Sequence, residues 1–254
     1  MNSIKIIGLA VIGMAFILIP AKAQSQQEIA DSLPQKDIHI RARQLAIPTS
    51  FILCGAWGVS NGWFCSVKEN VKDDFQRLRG NCRFRVDDQL QYIPVAGNLG
   101  LGMIGAKPRH PMRERIAATA TAYTVMGIMV NTVKFMVNEK RPDSGALNSF
   151  PSGHTATAFM GAELVREEYG NIYGAGAYVF ASGIAFLRLY NDRHWLNDII
   201  AGAGVGILSA RIGHWLLPVE RRWFGWNKSE TTFTVIPSYD PTMHSTSLSV
   251  VYQF

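Results

Sequence analysis

Three stretches decide the reading of this chain: KFMVNEKRP from Lys134 to Pro142, PSGH from Pro151 to His154, and RLYNDRHWLND from Arg188 to Asp198. At their motif positions, Lys134-x6-Arg141-Pro142, Pro151 to His154 and Arg188-x5-His194-x3-Asp198, they supply three fixed cations (Lys134, Arg141 and Arg188), two imidazoles (His154 and His194) and one carboxylate (Asp198). That inventory suits the holding of a phosphate and the displacement of its ester oxygen through a phosphohistidine. A transferring phosphoryl group spreads charge over three equatorial oxygens, so its catalysis is mostly positioning and electrostatic stabilisation. The arginine fork binds two phosphate oxygens at once and keeps its charge. Lys134, Arg141 and Arg188 are therefore the expected clamps.

PSGH precedes an apolar run, Thr155 to Val165, that reads as a helix. A Ser-Gly turn opening a helix aims backbone N–H groups at an anion, and glycine permits close approach. Ser152 and Gly153 are thus expected phosphate contacts, with His154 beside the leaving group as general acid. His194 and Asp198 stand at i and i+4, which on a helix share one face. Asp198 would accept the Nδ1 proton of His194 and leave Nε2 as the nucleophile, the logic of a catalytic triad.

The ordered set resembles the type 2 phosphatidic acid phosphatase superfamily, which also includes bacterial non-specific acid phosphatases and vanadium haloperoxidases. The resemblance covers mainly Lys134 to Ala210. It implies an all-α helical bundle whose motifs converge at one end. It also implies the same roles: nucleophile His194, orienting Asp198, and His154 as acid and then base. One departure is Leu187, where the family usually has serine before the third-motif arginine. The loop from Pro142 to Pro151 is short and leaves little room for a lid.

Each stretch has a plainer reading. Lys134 could snorkel to a membrane surface, Arg141-Pro142 could be an ordinary loop, PSGH a turn with a serine cap, and His194 with Asp198 a surface pair. All holding together in order is improbable. The other histidines, His39, His110, His214 and His244, lack a second His or a Cys at metal-ligand spacing, and His110 and His214 read as structural. No metal and no cofactor is implied, and no basic-aromatic module points to nucleic acid.

The first residues read as a targeting segment: Lys5, an apolar run from Ile6 to Ile19, and Ala21-Lys22-Ala23 as a small-x-small cleavage pattern, so residues 1–23 are assigned to a signal peptide and 24–35 to a linker. An uncleaved anchor is the alternative. Cleavage removes two of the cations behind the formal +6; the remaining excess suits an anionic lipid surface. Of three cysteines, Cys54 sits in an apolar stretch, while Cys65 and Cys82 bracket a charged segment and could pair in an oxidising compartment.

Mean hydropathy is only +0.06, yet charge is bunched into loops between apolar stretches. These are Ile47 to Phe64, Tyr92 to Ala106, Ile116 to Phe135, Thr155 to Val165, Ile172 to Phe186 and Ile199 to Leu217. They are rich in small residues, as in AGAGVG from Ala201 to Gly206, which allow close helix–helix approach in membranes. Ile116 to Phe135 and Ile199 to Leu217 are long enough to span. The short loop holding Lys107, Arg109, Arg113 and Arg115 is expected in the cytoplasm, which puts the motifs on the periplasmic side. With an outside N-terminus only one crossing fits before that loop, so Ile47 to Phe64 should not span.

After Leu217 the character changes. Arg221, Arg222, Trp223 and Trp226 suggest an interfacial anchor, and the segments at Phe233 and Leu248 to Phe254 are strand-like. The expected architecture is a helical phosphatase domain over 36–217, in a bacterial cell envelope, with a β-like tail over 218–254. The expected activity is metal-independent hydrolysis of a phosphate monoester or diphosphate on a membrane lipid: lipid A phosphate, undecaprenyl diphosphate or a phosphatidyl phosphate. The phosphorylated lipid and the bilayer are the expected partners, and nothing in the sequence sets an oligomeric state. The alternatives are a soluble exported acid phosphatase of broad specificity, a vanadium haloperoxidase, and a non-catalytic phosphate-lipid-binding envelope protein.

Overall fold

The structure, a computed structural model, describes residues 42–226 except 81, 83 and 85, and two strands at 232–240 and 245–253. The signal peptide and linker expected over 1–35 lie outside the described residues. The chain forms two compact units, divided after Leu217. The first is all α-helical. Its elements are α1 (Ala42–Ser60), α2 (Gly62–Arg79), α3 (Asp87–Leu90), α4 (Ile93–Gly100), a 3-10 turn (Leu101–Ile104), α5 (Met112–Val137), α6 (Gly153–Tyr169), α7 (Asn171–Tyr190) and α8 (Leu196–Trp223), whose last residues belong to the second unit. In that unit β1 (Thr232–Asp240) and β2 (Ser245–Gln253) pair antiparallel, with Thr232 opposite Gln253 and Asp240 opposite Ser245.

The core is built around α6. Ser152 caps its N-terminus, accepting the Thr155 N–H, and Gly170 at φ 86° ends it. It is buried on nearly every side, Glu163 and Glu168 included, which marks a helix enclosed by others rather than a surface helix. One flank, with Ala158, Phe159 and Ala162, packs on Tyr178, Ala181 and Ile184 of α7 and on Ile199, Ala203 and Ile207 of α8. The other, with Ala156, Met160 and Leu164, packs on Val95, on Ala122, Met126 and Val130 of α5, and on Val205 and Ala210. Truncating a side chain as deeply buried as Phe159 costs about 3–5 kcal/mol.

Small residues set the helix spacing. A Cβ on Gly202 would stand 2.5 Å from the Ser152 carbonyl oxygen, and one on Gly204 would stand 2.6 Å from that of Pro48. The AGAGVG stretch therefore lets α8 touch α6 on one face and α1 on another. Gly161 gives the same approach to α4, where an added Cβ would lie 2.6 Å from the Val95 nitrogen.

Three helices, Met112–Val137, Asn171–Tyr190 and Leu196–Trp223, are long and apolar enough to cross a membrane by length and composition. Their outward residues include Ile116 and Ile128 on α5 and Ile172 and Val179 on α7, all exposed. A bundle sheathed in such side chains fits a hydrocarbon surround.

Two of the apolar stretches bear on the topology. Ile47 to Phe64 forms one helical arm of the bundle. Most of it lies in α1, which runs antiparallel to α8: Gln44 accepts from Arg211 near one end, and Gly55 abuts Asn197 and Ala201 near the other. Tyr92 to Ala106 does traverse the bundle beside α6, with Val95 against Gly161 and the Gly102 N–H on the Tyr169 hydroxyl, but as an eight-residue helix and a 3-10 turn. Pro94 sits in the first turn of α4 and Gly105 adopts φ 96°, which limits the helix at each end. The chain therefore makes two passes before the basic loop, and residue 42 lies at the same end as that loop. The three cysteines are free thiols, so Cys65 and Cys82 are not bridged.

The amphipathic α2 was not foreseen as a helix. Phe64, Lys68, Val71, Phe75 and Arg79 recur at steps of three and four on its buried face. Trp57 and Trp63 stand exposed at the α1–α2 corner with ring centroids 6.4 Å apart, the placement of an interfacial aromatic pair.

Candidate active site

All three motifs meet where α5 and α7 end and α6 and α8 begin. Lys134 lies in the last turn of α5, which Asn138 closes at φ 50°. Its ammonium donates to the carbonyls of Asn148 and, at 3.4 Å, Ser149. Arg141 is in the following loop, where its Nε–H donates to Asn148 Oδ1 at 2.7 Å and its backbone N–H to Ala146 at 2.9 Å. The loop is thus laced to the two cations it carries. Ser149 links it to the next motif by donating its hydroxyl to Asp198 Oδ2.

His194 is 2 % exposed and Asp198 is fully buried. Nδ1 of His194 lies 3.3 Å from Asp198 Oδ2. The pairing does not arise on one helical face, as the i and i+4 spacing suggested. His194 stands in the turn before α8, and Asp198 is the third residue of that helix. The carboxylate reaches back to accept the Trp195 N–H at 2.9 Å, one half of a capping box. A helix start therefore fixes the aspartate, and the aspartate fixes the imidazole. Burial, then Arg188, Arg141 and Lys134, push the His194 imidazolium well below its ordinary pKa. All three motif cations thus act on one neutral imidazole.

Arg188, 2 % exposed at the end of α7, donates through Nη1 to Asp87 Oδ2 at 2.5 Å and Asp88 Oδ1 at 3.0 Å. Its Nε–H is buried with no partner among the described residues, a donor available to an anion. Asp88 Oδ1 also lies 3.0 Å from His154 Nε2, so one carboxylate oxygen joins the His154 imidazole to Arg188. Partial burial opposes the charge on Asp88, but Arg188 and His154 outweigh it and hold its carboxyl below the usual value. His154 itself is half-buried in the first turn of α6.

Ser152 serves the scaffold through both its polar groups. Its N–H donates to the Asp198 carbonyl at 3.0 Å, and its hydroxyl accepts from Thr155 Oγ1 at 3.0 Å. The first helical N–H groups, those of Gly153 and His154, are then the backbone donors that this turn presents. Leu187, the departure from the family pattern, is half-buried one residue before the clamp.

Sequence reading missed Asp87, Asp88, Ser149, Glu139 and Asn197. Glu139 lies inside the first stretch, where its neighbours drew the attention. It binds Lys68 at 2.7 Å and Asn197 Nδ2 at 2.9 Å, which ties α2 to the start of α8. Burial and the Asp198 charge raise its carboxyl against the pull of Lys68. Lys68 and Lys72 lie 5.3 and 5.5 Å over the Trp195 ring and, with Pro142 and His194, line a pocket beside the imidazole.

Fold and site together define an α-helical domain that gathers cations around a carboxylate-held histidine at one end of its bundle. Residues 115–222 match the model of the PAP2 superfamily, so the resemblance seen in the motifs is shown over the stretch that carries them. A lipid A 1-phosphatase of Porphyromonas gingivalis is 37% identical over 155 residues, covering 58% of this chain and 35% of the relative. The chain thus spans about a third of that protein's length. Among solved structures, Aquifex aeolicus LpxE is 22% identical at a TM-score of 0.43, covering 56% of this chain and 93% of that one. A transmembrane PAP2 type phosphatidylglycerolphosphate phosphatase from Bacillus subtilis is 18% identical at a TM-score of 0.38, covering 87% and 97%.

Proposed function

We propose that this chain is a membrane lipid phosphatase working through a phosphohistidine on His194. The observation that carries the proposal is the buried His194–Asp198 pair within the field of Arg188, Arg141 and Lys134. In the first half-reaction His194 Nε2 forms a bond to phosphorus while Asp198 holds the Nδ1 proton. The P–O bond to the lipid breaks, and His154 gives its proton to the leaving oxygen. In the second, His154 takes a proton from water, whose oxygen attacks phosphorus and breaks the P–N bond. Lys134, Arg141 and Arg188 neutralise the equatorial oxygens, with the Gly153 and His154 N–H groups beside them. Each such donor is worth about 10²–10³ in kcat.

Catalysis is assigned to 36–217, and the division after Leu217 supports that boundary. The substrate placed first is lipid A carrying a 1-phosphate, on the strength of the Porphyromonas relative. Undecaprenyl diphosphate and phosphatidyl phosphate are the rivals. The site is assigned to the periplasmic face, opposite the basic loop, and the apolar sheath favours the membrane enzyme over a soluble acid phosphatase.

Phosphate release from a panel of these lipids by detergent-purified protein tests the substrate. Lipid A 1-phosphate should be turned over fastest, and a fully folded His194→Ala protein should release nothing. With labelled substrate and an alkaline quench, label should stay on the wild-type protein, because phosphoramidates survive base and not acid. Near-normal turnover by His194→Ala would sink the mechanism.

A further inference from the structure

A second constellation lies at the other end of α6. His110, from the basic loop, Glu168, near the end of α6, and His214, on α8, bring one nitrogen or oxygen each to within 4.8 Å of one another. His110 Nδ1 and His214 Nε2 both lie 2.9 Å from the same oxygen, Oε1 of Glu168. The other carboxylate oxygen accepts the His110 backbone N–H at 3.1 Å, and the Glu168 carbonyl accepts the Arg109 N–H at 3.1 Å. His154 and Glu168 are fourteen residues apart on one helix, so this cluster is about 21 Å from the acid imidazole.

The nitrogen pattern points to a cation. Nδ1 of His214 lies 3.2 Å from the Ala210 carbonyl, an acceptor only, so that nitrogen carries the proton. In the neutral ring Nε2 then holds the lone pair, and it faces a carboxylate oxygen, so either a second proton or a metal ion stands between the two. Two lone pairs that close require something positive between them. A backbone carbonyl fixing the tautomer of one imidazole nitrogen while the other is aimed at a carboxylate is the arrangement that outer-shell partners give metal-binding histidines. The Glu168 side chain has no exposure and is held through both oxygens, while His110 is 26% exposed, so the ligands are preorganised and one side remains open to solvent.

We propose that His110, Glu168 and His214 form a divalent-metal site of the zinc class, with water in the fourth position. Two imidazoles and one carboxylate suit zinc, which binds such nitrogen and oxygen atoms at about 2.0–2.2 Å. The ion ties the basic loop to α6 and α8 and takes no part in phosphoryl transfer. The inference stands apart from the catalytic reading, and its test does not use turnover.

The test uses detergent-solubilised full-length protein, stripped with a chelator and titrated with zinc alone or cobalt(II) alone. Wild type should bind one equivalent at this site, develop the visible ligand-field absorption of cobalt in a nitrogen and oxygen site, and melt at a higher temperature with zinc than without. His110→Asn and Glu168→Gln should weaken binding by more than about tenfold and abolish the zinc-dependent rise in melting temperature. His154→Ala should keep both. His110 lies outside the helices, so the metal-free His110→Asn protein should melt close to metal-free wild type. No uptake by wild type, or equal uptake by wild type and His110→Asn, would overturn the site and leave a proton-held cluster.

Discussion

Nε2 of His154 faces Oδ1 of Asp88 at 3.0 Å, and that same oxygen accepts Nη1 of Arg188 at the same distance. Asp88 thus holds both the proposed acid His154 and the proposed clamp Arg188, two contacts that a neutral isostere would separate. Asp88→Asn should loosen the hold on Arg188 and lower KM for phosphate esters. It should also misplace His154 and reduce kcat by about 10–100-fold on alkoxide leaving groups, within the range for general acid catalysis. Activated aryl phosphates, which need little protonation, should lose far less. An equal loss on both substrate classes would assign Asp88 to binding alone.

The buried His194 sets the acid side of the pH profile. Its folded pKa lies below the ordinary histidine value of about 6.5, so the neutral nucleophile persists as pH falls through that value. After correction for substrate ionisation, kcat/KM should show no loss attributable to His194 near pH about 6.5, only well below it. The sign for stability is opposite. The unfolded chain takes up the proton that folded His194 refuses, so this residue's stabilising contribution, complete above that pH, declines as pH drops below it. An NMR titration of the wild type that found the His194 ring protonating at the ordinary histidine value would contradict the burial.

Gly202 couples packing to the site. Its missing Cβ would meet the Ser152 carbonyl at 2.5 Å and Thr155 Cβ at 3.3 Å. Gly202→Ala should cost about 1–3 kcal/mol of stability through overpacking. It should also lower turnover by more than about tenfold, because it displaces the PSGH turn from the helix that carries Asp198. Gly127, with open space around its added Cβ, is the contrast. Gly127→Ala should be neutral or raise the melting temperature. Thermal melts and kinetics on the two variants check both statements, and equal behaviour would remove the packing argument.

What was legible in the sequence was what sits close in sequence. The all-α bundle was implied by the family resemblance, and the cations and histidines that meet at one end of the bundle were read from three short motifs. His194 and Asp198 were paired correctly but for an incomplete reason, because the helix begins between them. Asp87 and Asp88 were invisible, since their partner Arg188 is about a hundred residues away and only the descent of α3 and α4 beside α6 brings them there. The histidines at 110 and 214 were dismissed for want of metal spacing. Their common ligand, Glu168, stands 58 and 46 residues from them and is supplied by the helix packing. Length and composition of Ile47 to Phe64 do not reveal that the glycines of α8 open a slot for α1.

That slot changes the topology test. The basic loop and residue 42 share one end of the bundle, and the candidate active site is at the other. Short loops crowded with Lys and Arg stay in the cytoplasm, so Lys107 to Arg115 and the start of α1 belong on the inner side. The proposed orientation puts the loop at Ser144, which is exposed, in the periplasm. In a background with Cys54, Cys65 and Cys82 replaced, a cysteine placed at Ser144 should react with a membrane-impermeant thiol reagent in spheroplasts. One at Met112, 40% exposed at the start of α5, should be protected until lysis. Protection at Ser144 with labelling at Met112 would invert the orientation and move the substrate to the cytoplasmic leaflet. Labelling at both before lysis would show a protein that crosses no bilayer. In that case the apolar faces of α5 and α7 would need a protein partner, and the soluble acid phosphatase reading would take the lead.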